Sequence, residues 1–271
     1  MNNLARARLG QDDLQHASSL FKQAFRGLRA QLEPDDPRTL RTLANLGVIR
    51  MEVGQVEVAR TLLQEVLERE RGRVQTDPRQ VRLALLNLTE CLRVADRPSE
   101  AIALIRLDME RLENDPDAPS EDLQRGLSLL GAALLDGGRA VEAEAVLKRR
   151  LNLSPEGPPN DLALAIARSR LGGALIRLIR LDEAVPVLVQ ADAALRAPNP
   201  GLPPRVVATC LIESAQRLTQ YYEACSTSEE AGWWRVTTEE RCQRLDQLGT
   251  ATLPDLPQDL VPIPTDSKPN D

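Results

Sequence analysis

Leu46-Gly47-Val48-Ile49-Arg50-Met51-Glu52-Val53-Gly54-Gln55-Val56-Glu57-Val58-Ala59 reads as the end of one helix, a short turn and the start of a second. Its frame is a Leu followed by a small residue, with an Ala thirteen residues after the Leu. The frame recurs as Leu4-Ala5 with Ala17, Leu88-Thr89 with Ala101, Leu130-Gly131 with Ala143, Leu171-Gly172 with Ala184 and Leu218-Thr219 with Ala231. The Leu positions lie 42, 42, 42, 41 and 47 residues apart. A fixed period of this size identifies a stacked array of supersecondary units.

Two antiparallel helices pack closely only where the side chains at their crossing are small. The small residue of each frame supplies one side of that crossing and the Ala supplies the other. The chain between frames carries the matching punctuation. From Asp13 to Leu32 the apolar residues Leu14, Ala17, Leu20, Phe21, Ala24, Phe25 and Leu28 recur at spacings of three and four, the period of an amphipathic helix. Pro34-Asp35-Asp36-Pro37 ends that helix and starts the next, because Pro suits a first helical turn and not an interior. Thr76-Asp77-Pro78 repeats the device, and Leu83, Leu86 and Leu88 continue the apolar stripe. Ser120 is a candidate N-cap, Gly137-Gly138 a helix-to-helix turn, and Thr227 with Glu230 a capping box. Pro186 is expected near the start of its helix, where a missing N–H costs little.

The expected fold is therefore all-α, a right-handed α-solenoid of antiparallel helix hairpins with about six repeats over 1–248. Residues 249–271 hold five prolines among polar residues, cannot bury a core, and are expected to be a disordered tail. Asn3-Leu4-Ala5 aligns with Asn45-Leu46-Gly47, so Met1 falls inside the first helix of a repeat. An uncovered repeat exposes an apolar face. This suggests a fragment or truncated product of a longer chain, or a face for self-association.

Composition narrows the function classes. Apolar residues make up 42% of the 271 residues and aromatics 2%, a mix dominated by Leu, Ala and Val that favours helix. A net charge of −6 gives no basic excess for a nucleic acid backbone. No apolar run approaches the ~18 residues of a membrane span. Cys91, Cys210, Cys225 and Cys242 show no metal-ligand spacing, and a reduced, cytoplasmic chain is expected. Cys225 and Cys242 form the one pair that could meet across a helical hairpin. His16, the single histidine, reads as an ordinary surface residue. No glycine-rich phosphate loop follows a strand pattern, and the carboxylates alternate with Arg as on solvated helix faces. No enzyme, metal or cofactor is expected.

The pattern resembles the tetratricopeptide repeats, in the longer variety found in kinesin light chains. Asp36-Pro37-Arg38-Thr39-Leu40-Arg41-Thr42-Leu43-Ala44-Asn45-Leu46 carries the resemblance, as does Ala184-Val185-Pro186-Val187-Leu188. Ala231-Gly232-Trp233-Trp234-Arg235 resembles the last repeat of arrays attached behind bacterial Ser/Thr kinase domains. The aromatic positions of the family's first helix are mostly Leu, Val or Arg here. The resemblance implies a scaffold that docks a protein or peptide segment on the concave face lined by the first helix of each repeat. Its alternative is the regulatory repeat region of a larger signalling enzyme. The groove positions it implies are Arg41, Asn45, Val48 and Met51, then Leu86, Asn87, Glu90 and Arg93, then Arg125 and Ser128. Ala44 and Ala132 fall on the same side of the frame. The lining lacks the Lys, Asn and Arg set with which some relatives hold a terminal carboxylate. Asn45 and Asn87 are equivalent positions, each read as bonded to a neighbouring helix or loop, or else as a peptide contact. Trp233 and Trp234 read mainly as packing at the end of the array.

Overall fold

Two Asp-Pro pairs start helices as the sequence predicts. The Asp36 carboxylate accepts the Arg38 N–H at 2.9 Å with Pro37 as the first helical residue. Asp77 does the same for the Arg79 N–H at 2.9 Å, ahead of Pro78. The computed structural model describes residues 13–75, 77–153, 161–196, 204–225 and 228–247. The first helix of repeat one, the Thr227 cap and the expected tail lie outside them. Among the described residues the chain forms eleven helices and no strand, an all-α fold of the solenoid class.

These helices divide between two compact units, one spanning Asp13–Ala95 and one within Asp96–Thr250. The first unit holds α1 (Leu14–Arg29), α2 (Pro37–Glu52), α3 (Val56–Gly72) and α4 (Pro78–Val94). The second holds α5 (Pro98–Glu113), α6 (Ser120–Asp136), α7 (Ala140–Asn152), α8 (Leu162–Arg177), α9 (Leu181–Leu195), α10 (Pro204–Ala224) and α11 (Ser228–Gln247). Within each unit consecutive helices pack as antiparallel hairpins, and first helices of neighbouring repeats also touch, α2 on α4, α6 on α8 and α8 on α10.

The repeating frame forms the core. Leu46, Leu88, Leu130, Leu171 and Leu218 are buried, and Ala17, Ala59, Ala101, Ala143 and Ala184 are fully so. The glycines sit where a second helix leaves no room. A Cβ on Gly131 would lie 2.6 Å from Leu147 Cδ2, one on Gly47 would lie 2.8 Å from Leu63 Cγ, and one on Gly172 would overlap Leu188. Arginines on later helices tie repeats together. Arg170 donates to the Ser128 carbonyl at 3.2 Å, and Arg177 donates to the Leu135 carbonyl.

Three local expectations are corrected. Ser120 is the first helical residue and Pro119 precedes it, so no side chain caps α6. Pro186 lies inside α9, past the first turn, and so lacks the amide that would reach the Asp182 carbonyl. Leu83 is exposed on α4, one step off the buried stripe of Ala84, Leu85 and Leu88. Among the described residues Cys91, Cys210, Cys225 and Cys242 form no disulfide.

Eight residues after the frame Leu the chain turns through the left-handed region, at Gly54 (φ 80°), Asp96 (φ 56°), Gly138 (φ 73°) and Ile179 (φ 60°). A β-branched residue there is strained by roughly 1–2 kcal/mol. Ile179 is also exposed, so its side chain returns little by burial. Ile179→Gly is therefore expected to raise the urea midpoint, stabilising by about 1 kcal/mol after the added freedom of the unfolded glycine. The close crossings predict the opposite sign. Gly131→Ala should lower stability by about 1–3 kcal/mol through overpacking. Gly232→Ala, where a Cβ meets nothing within 4 Å, should be neutral or mildly stabilising in the same denaturation series.

Candidate functional site

In the first unit the sides of α2 and α4 that do not enter the core carry the sequence-predicted groove residues. Arg41 is exposed, and Asn45, Val48, Met51, Leu86, Asn87, Glu90 and Arg93 are half-buried. Their neighbours Leu43, Leu46, Ile49, Leu85, Leu88 and Leu92 are buried, which leaves one polar, partly sheltered strip on each helix. Ala44 on α2 is buried instead of facing that strip, and Ala132 on α6 of the second unit is buried as well. The side-chain amides of Asn45 and Asn87 make no hydrogen bond among the described residues. The expected bond to a neighbouring helix or loop is thus not formed there. Arg93 is held by Glu90 through two contacts, Nε at 3.1 Å and Nη2 at 2.8 Å, so its charge is already balanced.

In the second unit Arg125 and Ser128 open onto a cavity of about 360 Å³ between α6, the end of α7 and the start of α8. Ser128 organises its floor. The Ser128 hydroxyl donates to the Gln124 carbonyl at 2.9 Å and accepts Arg150 Nε at 3.2 Å. Its carbonyl accepts Arg170 Nη1 at 3.2 Å. Arg150 is 2% exposed, and burial lowers its guanidinium below the usual range, opposed by the nearby Asp161 charge. Asp161 itself caps α8, accepting the Ala163 and Leu164 amides at 2.9 and 3.2 Å. Sequence reasoning reached Arg125 and Ser128 and missed Arg150, Arg170 and Asp161. For Arg170 a signal existed, since it stands two residues before the small residue of its frame, the place held by Asn45 and Asn87.

Residues 1–72 match the sequence model of the tetratricopeptide repeat family, and the same frame continues through the later repeats. The match covers those residues, and the fold of the described chain is that of a tetratricopeptide-repeat-like solenoid. Comparison with curated proteins finds no match. Among solved structures, the fold is similar to BtubC (BKLC) from P. vanneervenii, at 16% identity and a TM-score of 0.64, covering 90% of this chain and 96% of that one. It is also similar to kinesin light chain TPR-like repeats from Podosopora anserina, at 19% identity and a TM-score of 0.59, covering 71% and 92%. A Rap protein complexed with Competence and Sporulation Factor matches at 11% identity and a TM-score of 0.62, covering 91% and 75%. These likenesses are in fold.

Elsewhere the polar groups serve packing. His16 Nδ1 lies 2.9 Å from Asp13, a local pair at the start of α1 with the imidazole largely exposed. Among the described residues no three His, Cys, Asp or Glu gather to hold a metal ion, and no helix is long and apolar enough to cross a membrane. Trp234 is buried, with the Arg196 and Arg241 guanidiniums each 5.8 Å from its ring. Both arginines also pair with the buried Asp192, at 2.6 and 2.9 Å, which fastens α11 to α9. Trp233 stacks edge-on against Trp234 and stays 55% exposed.

Cys91 is buried beside the Val56 carbonyl, 3.5 Å from its sulfur, and burial pushes its thiol up to about 11. Native alkylation at pH 8 should therefore label Cys210, Cys225 and Cys242 and spare Cys91 until the chain unfolds. Because the folded thiol holds its proton more tightly than the unfolded one at 9.0, its contribution is complete below pH 9 and is lost as pH rises towards 11. A Cys91→Ala variant should lack that part of the alkaline loss of stability.

Proposed function

We propose that this chain is a non-catalytic tetratricopeptide-repeat scaffold that holds a peptide segment of a partner protein along the open sides of α2 and α4. One observation carries the reading. Asn45 and Asn87, at equivalent positions on two touching helices, present amides from half-buried sites that make no hydrogen bond among the described residues. Amides open to solvent and not bonded within the described chain can exchange water for a peptide backbone, which offers both a donor and an acceptor. Val48, Met51 and Leu86 supply apolar contact beside them, the mixture suited to an extended or helical segment. The Rap protein of similar fold is seen complexed with Competence and Sporulation Factor, which supports ligand docking on such a scaffold. Free cysteines suit a reducing, cytoplasmic setting, and a net charge of −6 gives no support for a nucleic acid partner.

The test uses the full chain as bait, identifies what it captures, and measures the dissociation constant with the purified partner. The double variant Asn45→Ala with Asn87→Ala is expected to weaken binding roughly tenfold or more, about 1–3 kcal/mol for two hydrogen bonds, with helicity unchanged. Equal affinity in wild type and variant would remove α2 and α4 from the binding surface.

A further inference from the structure

The exposed sides of the second helices change character along the chain. Five residues after each frame Ala stand Lys22, Gln64, Arg106 and Lys148, and then Val189 and Val236. Val189 on α9 is 49% exposed and Val236 on α11 is 53% exposed. Two residues after the same Ala, Pro186 and Trp233 are exposed as well, and Trp233 neighbours Val236 at a spacing of three residues. α9 and α11 are joined through the Asp192–Arg241 pair and through Arg196 over the Trp234 ring. Pro186, Val189, Trp233 and Val236 thus occupy equivalent sides of two joined helices and form an apolar patch in the second unit. Exposed apolar patches that extend over neighbouring elements mark contact surfaces.

The sequence beyond Gln247 carries the matching feature. Leu253-Pro254-Asp255-Leu256-Pro257-Gln258-Asp259-Leu260-Val261-Pro262-Ile263-Pro264 intersperses apolar residues with prolines and lacks the repeat frame. At the three-residue period of a polyproline helix, Pro254, Pro257, Leu260 and Ile263 fall on one side, and Asp255 and Gln258 on another. Proline-rich segments of this form dock on aromatic-lined surfaces. The reach is sufficient. Val236 stands eleven residues before the end of α11, about 17 Å along the helix. The residues from 248 to 253 span up to about 20 Å when extended.

We propose that residues 253–264 dock in cis on the patch formed by Pro186, Val189, Trp233 and Val236. A segment tethered to the same chain meets the patch at an effective concentration on the order of millimolar, so a contact too weak to hold a separate partner suffices. A second copy lacks that advantage, and the net charge of −6 on each copy opposes pairing. The docked segment needs no core of its own, because α9 and α11 supply the apolar surface. It covers Trp233 and keeps the second helices of the last two repeats from adhering to other chains.

The test is NMR of the full chain, whose two tryptophans give two indole N–H signals. Trp233→Phe, a change at an exposed side chain, assigns them. In Leu260→Ser with Ile263→Ser the Trp233 signal should shift, and an uncharged paramagnetic solvent probe should broaden it severalfold more than in wild type. The signal of the buried Trp234 should change little. Val189→Ser, on the neighbouring helix, should open Trp233 to the probe in the same way and sharpen the Leu256, Leu260 and Ile263 amide signals. Trp233 equally open to the probe in wild type and in the tail variant would overturn the proposal. Equal protection in both would overturn it too, and would assign the patch to another cover such as 197–203. A Trp233 signal that moves with protein concentration would overturn docking in cis in favour of a second copy. None of these readings depends on Asn45, Asn87 or a captured partner.

Discussion

The hairpins α2/α3, α6/α7 and α8/α9 are each closed by a leucine of the second helix resting on a glycine of the first. Leu63 lies over Gly47, Leu147 over Gly131 and Leu188 over Gly172, at separations where no Cβ could stand. Dispersion is gained along the whole crossing because the backbones come so near, and the fully buried Ala59, Ala143 and Ala184 allow it from the other side. Where the frame has Thr89 in place of Gly, the buried hydroxyl is satisfied by returning to the Leu85 carbonyl at 2.8 Å. The crossing thus tolerates a small polar group only when that group is bonded within its own helix.

Because the tight side of each first helix is fixed by these crossings, the residues on its other side are released from packing. They are where an array of helix hairpins can vary its chemistry without disturbing its fold. In the first unit that freedom is used for two amides and a self-paired Glu90–Arg93. In the second it is used for arginines that converge on Ser128 from two other helices. Surface ion pairs between repeats, such as Arg106–Glu142 and Arg180–Glu144, add little each at their exposure. The energetic weight stays with the buried frame.

The frame was legible in the chain because six weak coincidences at one period reinforce each other, and burial of the described Leu and Ala positions follows it closely. What one sequence did not reveal is where a polar residue replaces an apolar one inside that frame. Arg50 stands four residues after the frame Leu, where Leu92, Leu134 and Leu175 stand in other repeats. It is fully buried, with Nη1 donating to Gln55. Arg150 is buried on α7 in the same unannounced way, since periodicity counts an arginine as surface. Asn45 and Asn87 were visible as recurring residues, but only the geometry showed that nothing in the described chain bonds them. Ser120 and Pro186 were misplaced by a residue or a turn, since their local preference fits several neighbouring positions equally well.

The central claim is that partners meet the open side of the first helices and not the second. Site-specific photo-crosslinking tests it most directly, with a photoreactive residue placed at Val48 or Leu86 on α2 and α4, or at Val58 or Val141, which are exposed on α3 and α7. Adducts to a partner from positions 48 and 86, and none from 58 and 141, are the predicted result. Adducts from 58 or 141 with none from 48 and 86 would contradict it and place recognition on the second helices.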